Sequence, residues 1–433
     1  MRLILVFTAF LIAIQLPAQP LLELKDAIRI GIEQNFDIHL AKNEAEIARE
    51  GNTAGMAGFY PTVGLNLGAN LQNSNLSQRF ASGLEVDRPG VIGSGLNGGI
   101  VLNWLFFDGG KMFITRKKLN RQLSAAELRL QNQIMNFADS LSAAYYQVVI
   151  AGLDLKVLGQ SRKITEDRLR IAQEQQQAGS RPASDALQAQ MDLNQLSNKI
   201  LFQQKQLEIR KGALNLMIGR EPEFDFIVSD TVKIPSQASY ADLKNKVLER
   251  NLALKAQKEG IEVSRLGLGE LRSRMFPQIS LNTALNYQRS SSSAGFALYN
   301  RNIGPVAGIT MSLPLFNGLP IKQQLRLAGK ELYSREIQLK ISENRLLFQL
   351  WRSIKNLELY LESLDTETSN QSLAAENLRI VQERFKTGLT NSLEVREAEN
   401  QVENSGLRLQ QLRFQARIAA NQVQRLAAEL QTD

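Results

Sequence analysis

The chain has 433 residues, of which 43% are hydrophobic and 22% charged, so it is no disordered polymer and has length for two or three domains. Its formal charge is +8, yet the basic residues alternate with acids along helical stretches such as RKITEDRLR (162–170); this is the pattern of a solvated helix face, not of a nucleic-acid surface. Cysteine is absent, which excludes disulfides, thiol catalysis and a lipid on an N-terminal Cys.

Residues 1–18 read as a secretory signal peptide: Arg2, an apolar run from Leu3 to Leu16, then Pro17-Ala18 with cleavage after Ala18. The run is short for a transmembrane anchor, and no later stretch approaches 18 consecutive apolar residues. Any membrane insertion by the remaining chain must therefore use strands. A helix is expected over 24–57. FYPTVGLNLGANLQ (59–72) follows, with Val63, Leu65, Leu67, Ala69 and Leu71 on one side and Thr62, Gly64, Asn66, Gly68 and Asn70 on the other. Such alternation predicts a strand, 62–73, with one oily face. A polar loop, SNLSQRFASGLEVDRPGVIGSG, leads to a second strand, 96–107, in which Leu96, Ile100, Leu102 and Trp104 oppose Asn97, Gly99 and Asn103. A very long helix, 110–178, and a return helix, 183–219, complete the unit.

The unit then repeats. Asn35, Pro61 and Leu65-Asn66 match Asn251, Pro277 and Leu281-Asn282 at an offset of 216. Phe107 matches Phe316, and RLRIAQEQQQAG (168–179) matches NLRIVQERFKTG (377–388), at 209. The first copy has a strand-to-strand loop seven residues longer, which accounts for the change. The expected repeats are 19–238 and 239–433. The second holds helices 240–273, 319–387 and 391–431 and strands 278–289 and 303–315, the latter with Ile303, Ala307, Ile309, Met311 and Leu313 facing one way. Its inter-strand loop is RSSSSAGFALYNRN. In the first long helix, apolar positions 130, 134, 137, 141, 144, 148, 151, 155 and 158 alternate in steps of four and three, the seam of a coiled coil. Leu346, Leu350, Ser353, Leu357, Tyr360 and Leu364 repeat it. At 1.5 Å per residue such a helix is about 100 Å long and must lie along other helices.

The strands are long enough to cross an outer-membrane hydrocarbon layer when tilted. Phe59, Tyr60, Trp104, Phe106, Phe107, Phe276 and Phe316 sit at their helix-side ends, where an interfacial girdle would lie. A soluble sheet packed under the helices is the competing reading. The helices, however, begin directly at the strand ends and so extend the strands rather than cover them. Four strands cannot close a barrel, and lipid tolerates no open edge. Two chains would supply eight strands and three chains twelve, of which only twelve leaves a wide lumen.

The duplicated helix–strand–strand–helix–helix plan resembles the TolC family of outer-membrane efflux and secretion channels. The resemblance spans nearly the whole mature chain. It rests on the FYP and MFP strand entries, the FDGG and FNG strand-to-helix turns, and the tip turns QAG and KTG, in this order and twice over. It implies a fold mainly α with membrane β: a homotrimer with a 12-stranded transmembrane barrel in the outer membrane, continued by a long periplasmic α-helical barrel. The implied partners are a periplasmic membrane-fusion adaptor, an inner-membrane transporter of RND or ABC type, and outer-membrane lipid. The implied activity is passive export of small molecules or polypeptides from the periplasm and transporter to the exterior, as the exit duct of a tripartite efflux pump or type I secretion system. The alternative is a periplasmic coiled-coil scaffold or adaptor without a channel.

Within the family the pore is narrowest at the periplasmic tips, where acids follow the second tip glycine at +6 and +9. Gly388 is followed there by Glu394 and Glu397, and Gly179 by Asp185 at +6 and Gln188 at +9. The resemblance makes Glu394, Glu397 and Asp185 a pore-constriction acidic ring, which would favour cations. By residue type alone they are acids in first helical turns, where the dipole favours them. Some relatives hold the closed tip with a Tyr at −3 and an Arg at +2 of the second glycine. Here those positions are Phe385 and Thr390, so that hydrogen-bonded lock is not carried over and packing by Phe385 is its substitute. Gly179, Gly388 and Pro182 are expected to shape the tip turns, the adaptor's contact surface. Asp108 and Asn317 are expected to cap the long helices. His39, the lone histidine, has no second ligand near it, and no catalytic, metal or cofactor pattern appears, so neither an enzyme nor a cofactor is expected.

Overall fold

A computed structural model describes residues 20–235, 239–295, 297–316 and 318–428. The expected signal peptide and the expected cap Asn317 lie outside the described residues. In chain order the elements are β1 (Leu21–Leu22), α1 (Leu24–Gln34), α2 (Phe36–Glu50), β2 (Thr62–Arg79), β3 (Glu85–Asp108), α3 (Lys111–Gln177) and α4 (Ala183–Met217). Then come β4 (Ile227–Val228), α5 (Tyr240–Arg250), α6 (Leu252–Ser273), β5 (Gln278–Ser292), β6 (Tyr299–Ser312), α7 (Pro320–Lys386) and α8 (Ser392–Leu426). The chain divides into two compact units, one of Met1–Lys42, Leu130–Leu252 and Glu343–Asp433, the other of Asn43–Arg129 and Ala253–Ser342.

The second unit carries a four-stranded antiparallel sheet in the order β2-β3-β5-β6. Register sets side chains on faces, because residues directly opposed across a ladder point the same way. Leu65 pairs with Ile100, Ile100 with Leu285 and Leu285 with Pro305; Val63 pairs with Leu102, and Leu281 with Ile309. The oily strand positions of the sequence thus fall on one face, except Leu313, which lies beyond β6. The other face reads Asn66–Gly99–Asn286–Gly304 and Gly68–Asn97–Gln288–Asn302 across the four strands. Nothing among the described residues covers the oily face: Leu67, Leu71, Ile309 and Met311 are all more than 60% exposed. Among the described residues both outer strands, β2 and β6, leave one edge unpaired.

Three expectations need correction here. The two inter-strand loops are mostly strand: β2 runs to Arg79 and β3 starts at Glu85, while β5 runs to Ser292 and β6 starts at Tyr299. Polar residues propagate the ladder because the partner strand supplies the hydrogen bonds and no core is needed to hold them. At its other end β6 stops at Ser312, short of Leu315. The helices expected over 24–57 and 240–273 are each broken by an asparagine, and helix ends at Glu50 in the first. Asn35 ends α1 through its N–H to the Gly31 carbonyl, and its Oδ1 accepts from Asp37 and Ile38 N–H to start α2. Its amide also donates to the Met217 carbonyl at the end of α4. Asn251 repeats the arrangement, donating to the Leu426 carbonyl at the end of α8.

Strand passes to helix at Asp108-Gly109-Gly110. Asp108 Oδ1 accepts the Met112 N–H at 3.1 Å and caps α3. Gly109 has φ 72° and its Cα faces the Ser273 carbonyl, with room for no side chain. Around it Thr115 and Lys118 bond both oxygens of Glu270, fastening α3 to α6.

In the helical unit the 4–3 seam of α3 is buried at Phe137, Leu141, Val148, Ala151 and Leu158, and that of α7 at Leu346, Leu350, Ser353 and Leu357. Tyr145, Tyr146, Val149 and Ile150 are buried as well, so α3 is covered on almost every side between 137 and 151. The cover is α1 with a small parallel pair, β1 on β4, which join α3 and α4 in one core with Phe226 and Leu214 at its centre. Tyr145 pins this pair: its hydroxyl donates to the Leu22 carbonyl at 3.0 Å and accepts from Ser229 N–H.

Candidate functional site

α3 ends at Gln177 and α7 at Lys386, and the chain reverses through two turns built alike. Gly179 has φ 70° and Gly388 φ 79°, the left-handed conformation that stops a helix. Ser180 N–H bonds the Gln175 carbonyl, five residues back, and Leu389 N–H bonds the Arg384 carbonyl in the same relation. Pro182 sits just before α4, extended at φ −70°. Asn391 starts α8 by accepting the Glu394 N–H at 3.0 Å.

A small apolar core ties the four helix ends together: Ala172 of α3, Ala186 of α4, Leu378, Val381 and Phe385 of α7, Val395 and Ala398 of α8. Phe385 packs as its keystone, 1% exposed. Over its ring lies the guanidinium of Arg181, 4.1 Å from the centroid. Arg181 Nη2 also donates to the carbonyls of Thr390 (2.5 Å) and Phe385 (3.4 Å), and Nη1 to Asp185 at 3.1 Å. Gln175 adds amide bonds to the Phe385 and Lys386 carbonyls. Both tip turns are thereby bridged within one chain by residues of the first.

The sequence expectations attach to this site unequally. Asp185 is held by Arg181 and is mostly buried. Glu394 pairs with Arg384 at 3.1 Å and accepts from the Thr390 hydroxyl. Glu397 is exposed and has no polar partner among the described residues. Gln188 turns to Asp192, its amide donating at 2.9 Å. Arg181, missed by the sequence reading, carries a signal in retrospect: it stands two residues after Gly179, the offset at which some relatives place an arginine after the other tip glycine.

One helical turn farther in lies a buried ionic cluster. Arg168 is 2% exposed, with Nη2 2.7 Å from Asp192 and Nε 3.2 Å from Glu399, and Nη1 donating to Ser392. Glu403 pairs with Lys199 at 2.9 Å. Burial pushes the Glu399 carboxyl up to about 7; Arg168 opposes the rise, while Asp192 and Glu403 add to it. One Glu399 oxygen has no hydrogen-bond partner. Among the described residues no cluster of metal-ligating type is present.

The outer membrane efflux protein family model matches residues 28–220 and 243–429. The outer membrane efflux protein BepC of Brucella suis is 21% identical over 311 residues, 70% of this chain; the chain spans 66% of that relative's length. The solved outer-membrane channel OprN superposes with TM-score 0.77 at 17% identity over 94% of this chain and 90% of its own. The outer membrane protein VceC of Vibrio cholerae does so with TM-score 0.74 at 17% identity, over 95% and 97%. The structures share the fold, and the two-part family match covers both copies of the duplicated unit: the chain belongs to the outer membrane efflux protein family.

Proposed function

We propose that the chain is the outer-membrane exit duct of a tripartite export system, efflux pump or type I secretion, and that it conducts small molecules or polypeptides passively to the exterior. The observation that carries the proposal is the four-stranded sheet, oily and uncovered on one face, polar on the other and unpaired at both edges. β6 runs antiparallel to β2, so the β6 edge of one copy can continue the meander onto the β2 edge of the next without a change of pattern. Edge joined to a different edge is a head-to-tail contact, which closes into a ring when the rotation between copies divides the circle, and lipid, which tolerates no open edge, demands that closure. Three copies make twelve strands with the Asn/Gly face toward a lumen.

The helical unit supports the same assembly. α4 exposes Leu187, Met191, Phe202 and Ile209, and α7 exposes Leu359, Leu373 and Ile380 at multiples of seven residues. Two different apolar stripes on one chain again suit a head-to-tail ring. In that ring three copies of Glu397, the exposed and unpaired acid, would line the tip constriction, with Glu394 and Asp185 beside it in paired form. The tip turns around Gly179, Pro182, Phe385, Gly388 and Thr390 are the surface offered to a periplasmic adaptor, and through it to an inner-membrane transporter. Detergent extraction followed by mass measurement should yield a particle of three chains, and that particle should form ion-conducting pores in planar bilayers. A water-soluble monomer would defeat the proposal.

A further inference from the structure

At the hairpin end of β5 and β6 the oily face stops on charge. Arg289 and Arg301 are directly opposed in the register, so both guanidinium groups stand on the face that carries Leu285, Ile303 and Ile309. Like charges directly opposite on a sheet repel. No acid among the described residues forms an ion pair with either. Two tyrosines hold them instead, in a crossed arrangement: Arg289 lies over the Tyr299 ring at 5.4 Å and Arg301 over the Tyr287 ring at 5.7 Å. The rings stabilise each cation but do nothing about the repulsion between them. An anion shared by both forks would.

The position of the pair says which anion. The oily face begins at Ile279 and Met311, which pair at the helix end of the strands. Ten residues separate Ile279 from Arg289. At about 3.3 Å per residue and a tilt of about 40°, that is roughly 25 Å along a membrane normal, the height of the apolar band of a transmembrane barrel. The arginines therefore stand where hydrocarbon gives way to headgroups, on the side away from the helices. A free anion in water gains nothing from the apolar surface beneath; a lipid has acyl chains to lay on it.

We propose that Arg289 and Arg301 bind the phosphate of a lipid headgroup in the leaflet at the hairpin end, with its chains against the oily face. Two planar forks on one phosphate give bidentate, charge-assisted bonds, and Tyr287 and Tyr299 hold the forks in place. The assignment rests on the reading that this face meets lipid.

The test uses the detergent-solubilised full chain with mass-spectrometric detection of retained lipid. Dioleoyl phosphatidic acid is compared with dioleoylglycerol, which has the same chains and no phosphate. The wild-type protein should retain the phosphate lipid about tenfold more, and Arg289→Gln/Arg301→Gln should abolish the preference; Arg289→Lys/Arg301→Lys should keep only part of it. Equal retention of the two lipids by the wild type overturns the proposal, as does an unchanged preference in the Gln variant. If that same sample still forms conducting pores, the duct reading stands. Removal of the preference by millimolar inorganic phosphate would make the pair a free-anion site and overturn the lipid assignment. A protein that does not enter bilayers at all removes both readings.

Discussion

Among the described residues Arg181 is the one side chain that joins both tip turns through charge, so its removal tests whether those turns hold the tip of the proposed duct shut. Arg181→Ala deletes donations to the Thr390 and Phe385 carbonyls, an ion pair with Asp185 and the cation over Phe385. A hydrogen bond to a charged group contributes about 1.5–3 kcal/mol and a desolvated cation–π contact up to about 2. These terms are not additive, because one guanidinium serves them all, and about 3 kcal/mol is a fair total for a side chain only 9% exposed. If the bridge exists only in the closed tip, the open-to-closed ratio rises about 100-fold. Single-channel recording of purified protein in planar bilayers should show the low-conductance state of the wild type replaced by long, high-conductance openings. Arg181→Lys keeps a charge for Asp185 but loses the planar fork, and should fall between the two. A correctly assembled Arg181→Ala protein with wild-type conductance would refute the reasoning, since the bridge would then be equally present, or equally irrelevant, in both states.

Glu397→Gln should weaken cation preference and block by multivalent cations more than Glu394→Gln, because Arg384 already offsets the Glu394 charge; reversal potentials in a salt gradient measure this. Glu399 sets a pH dependence. Its carboxyl is raised from an ordinary 4.5 to about 7, so the folded state holds the proton more tightly than the unfolded one, and stability falls as pH rises from about 4.5 to 7. At about 1.4 kcal/mol per pH unit the ceiling is about 3 kcal/mol. Glu399→Gln should therefore raise the thermal midpoint at pH 8 and leave it nearly unchanged at pH 5; equal effects at both would remove the desolvation argument. At the strand-to-helix turn, Gly109→Ala puts a Cβ 2.4 Å from the Ser273 carbonyl oxygen at φ 72°, while Gly110→Ala at φ 85° meets nothing. The first should cost about 3 kcal/mol or more and the second about 1, a contrast that chemical denaturation in detergent reads directly.

Much of the architecture could be read from the sequence because it depends on short periods. Alternation of Val63, Leu65, Leu67 and Leu71 fixes a face, and one correct register carries that face across all four strands. The 4–3 seam of α3 likewise reappears as buried positions. What escaped notice depends on partners distant in the chain. The break at Asn35 joins a local cap, its Oδ1 accepting from Asp37 and Ile38 N–H, to a carbonyl at Met217, 182 residues away, and only the first of these has a local signal. Tyr145 and Tyr146 lie off the seam, and what buries them, β1, β4 and Arg417, comes from distant parts of the chain. The polar stretch NSNLSQR, with its lone leucine, carries no oily stripe, yet it is strand because its partner is.

The tip shows a further way in which sequence reading falls short in a duplicated chain. Some relatives place a bridging cation after the second glycine, and Thr390 there has no charge to offer. The bridge nevertheless forms, because a contact between two turns has two ends. A cation two residues past Gly179 reaches the Phe385 and Thr390 carbonyls, whereas one two residues past Gly388 would reach back the other way. The anchors differ accordingly: backbone carbonyls, which are always present, accept from Arg181, and Phe385, which has no hydroxyl to donate, supplies a ring face. The bridge consists of one planar cation between two left-handed glycine turns. The two tip turns offer two positions for it, so a search confined to the position two residues after Gly388 finds no cation, where the structure places one two residues after Gly179.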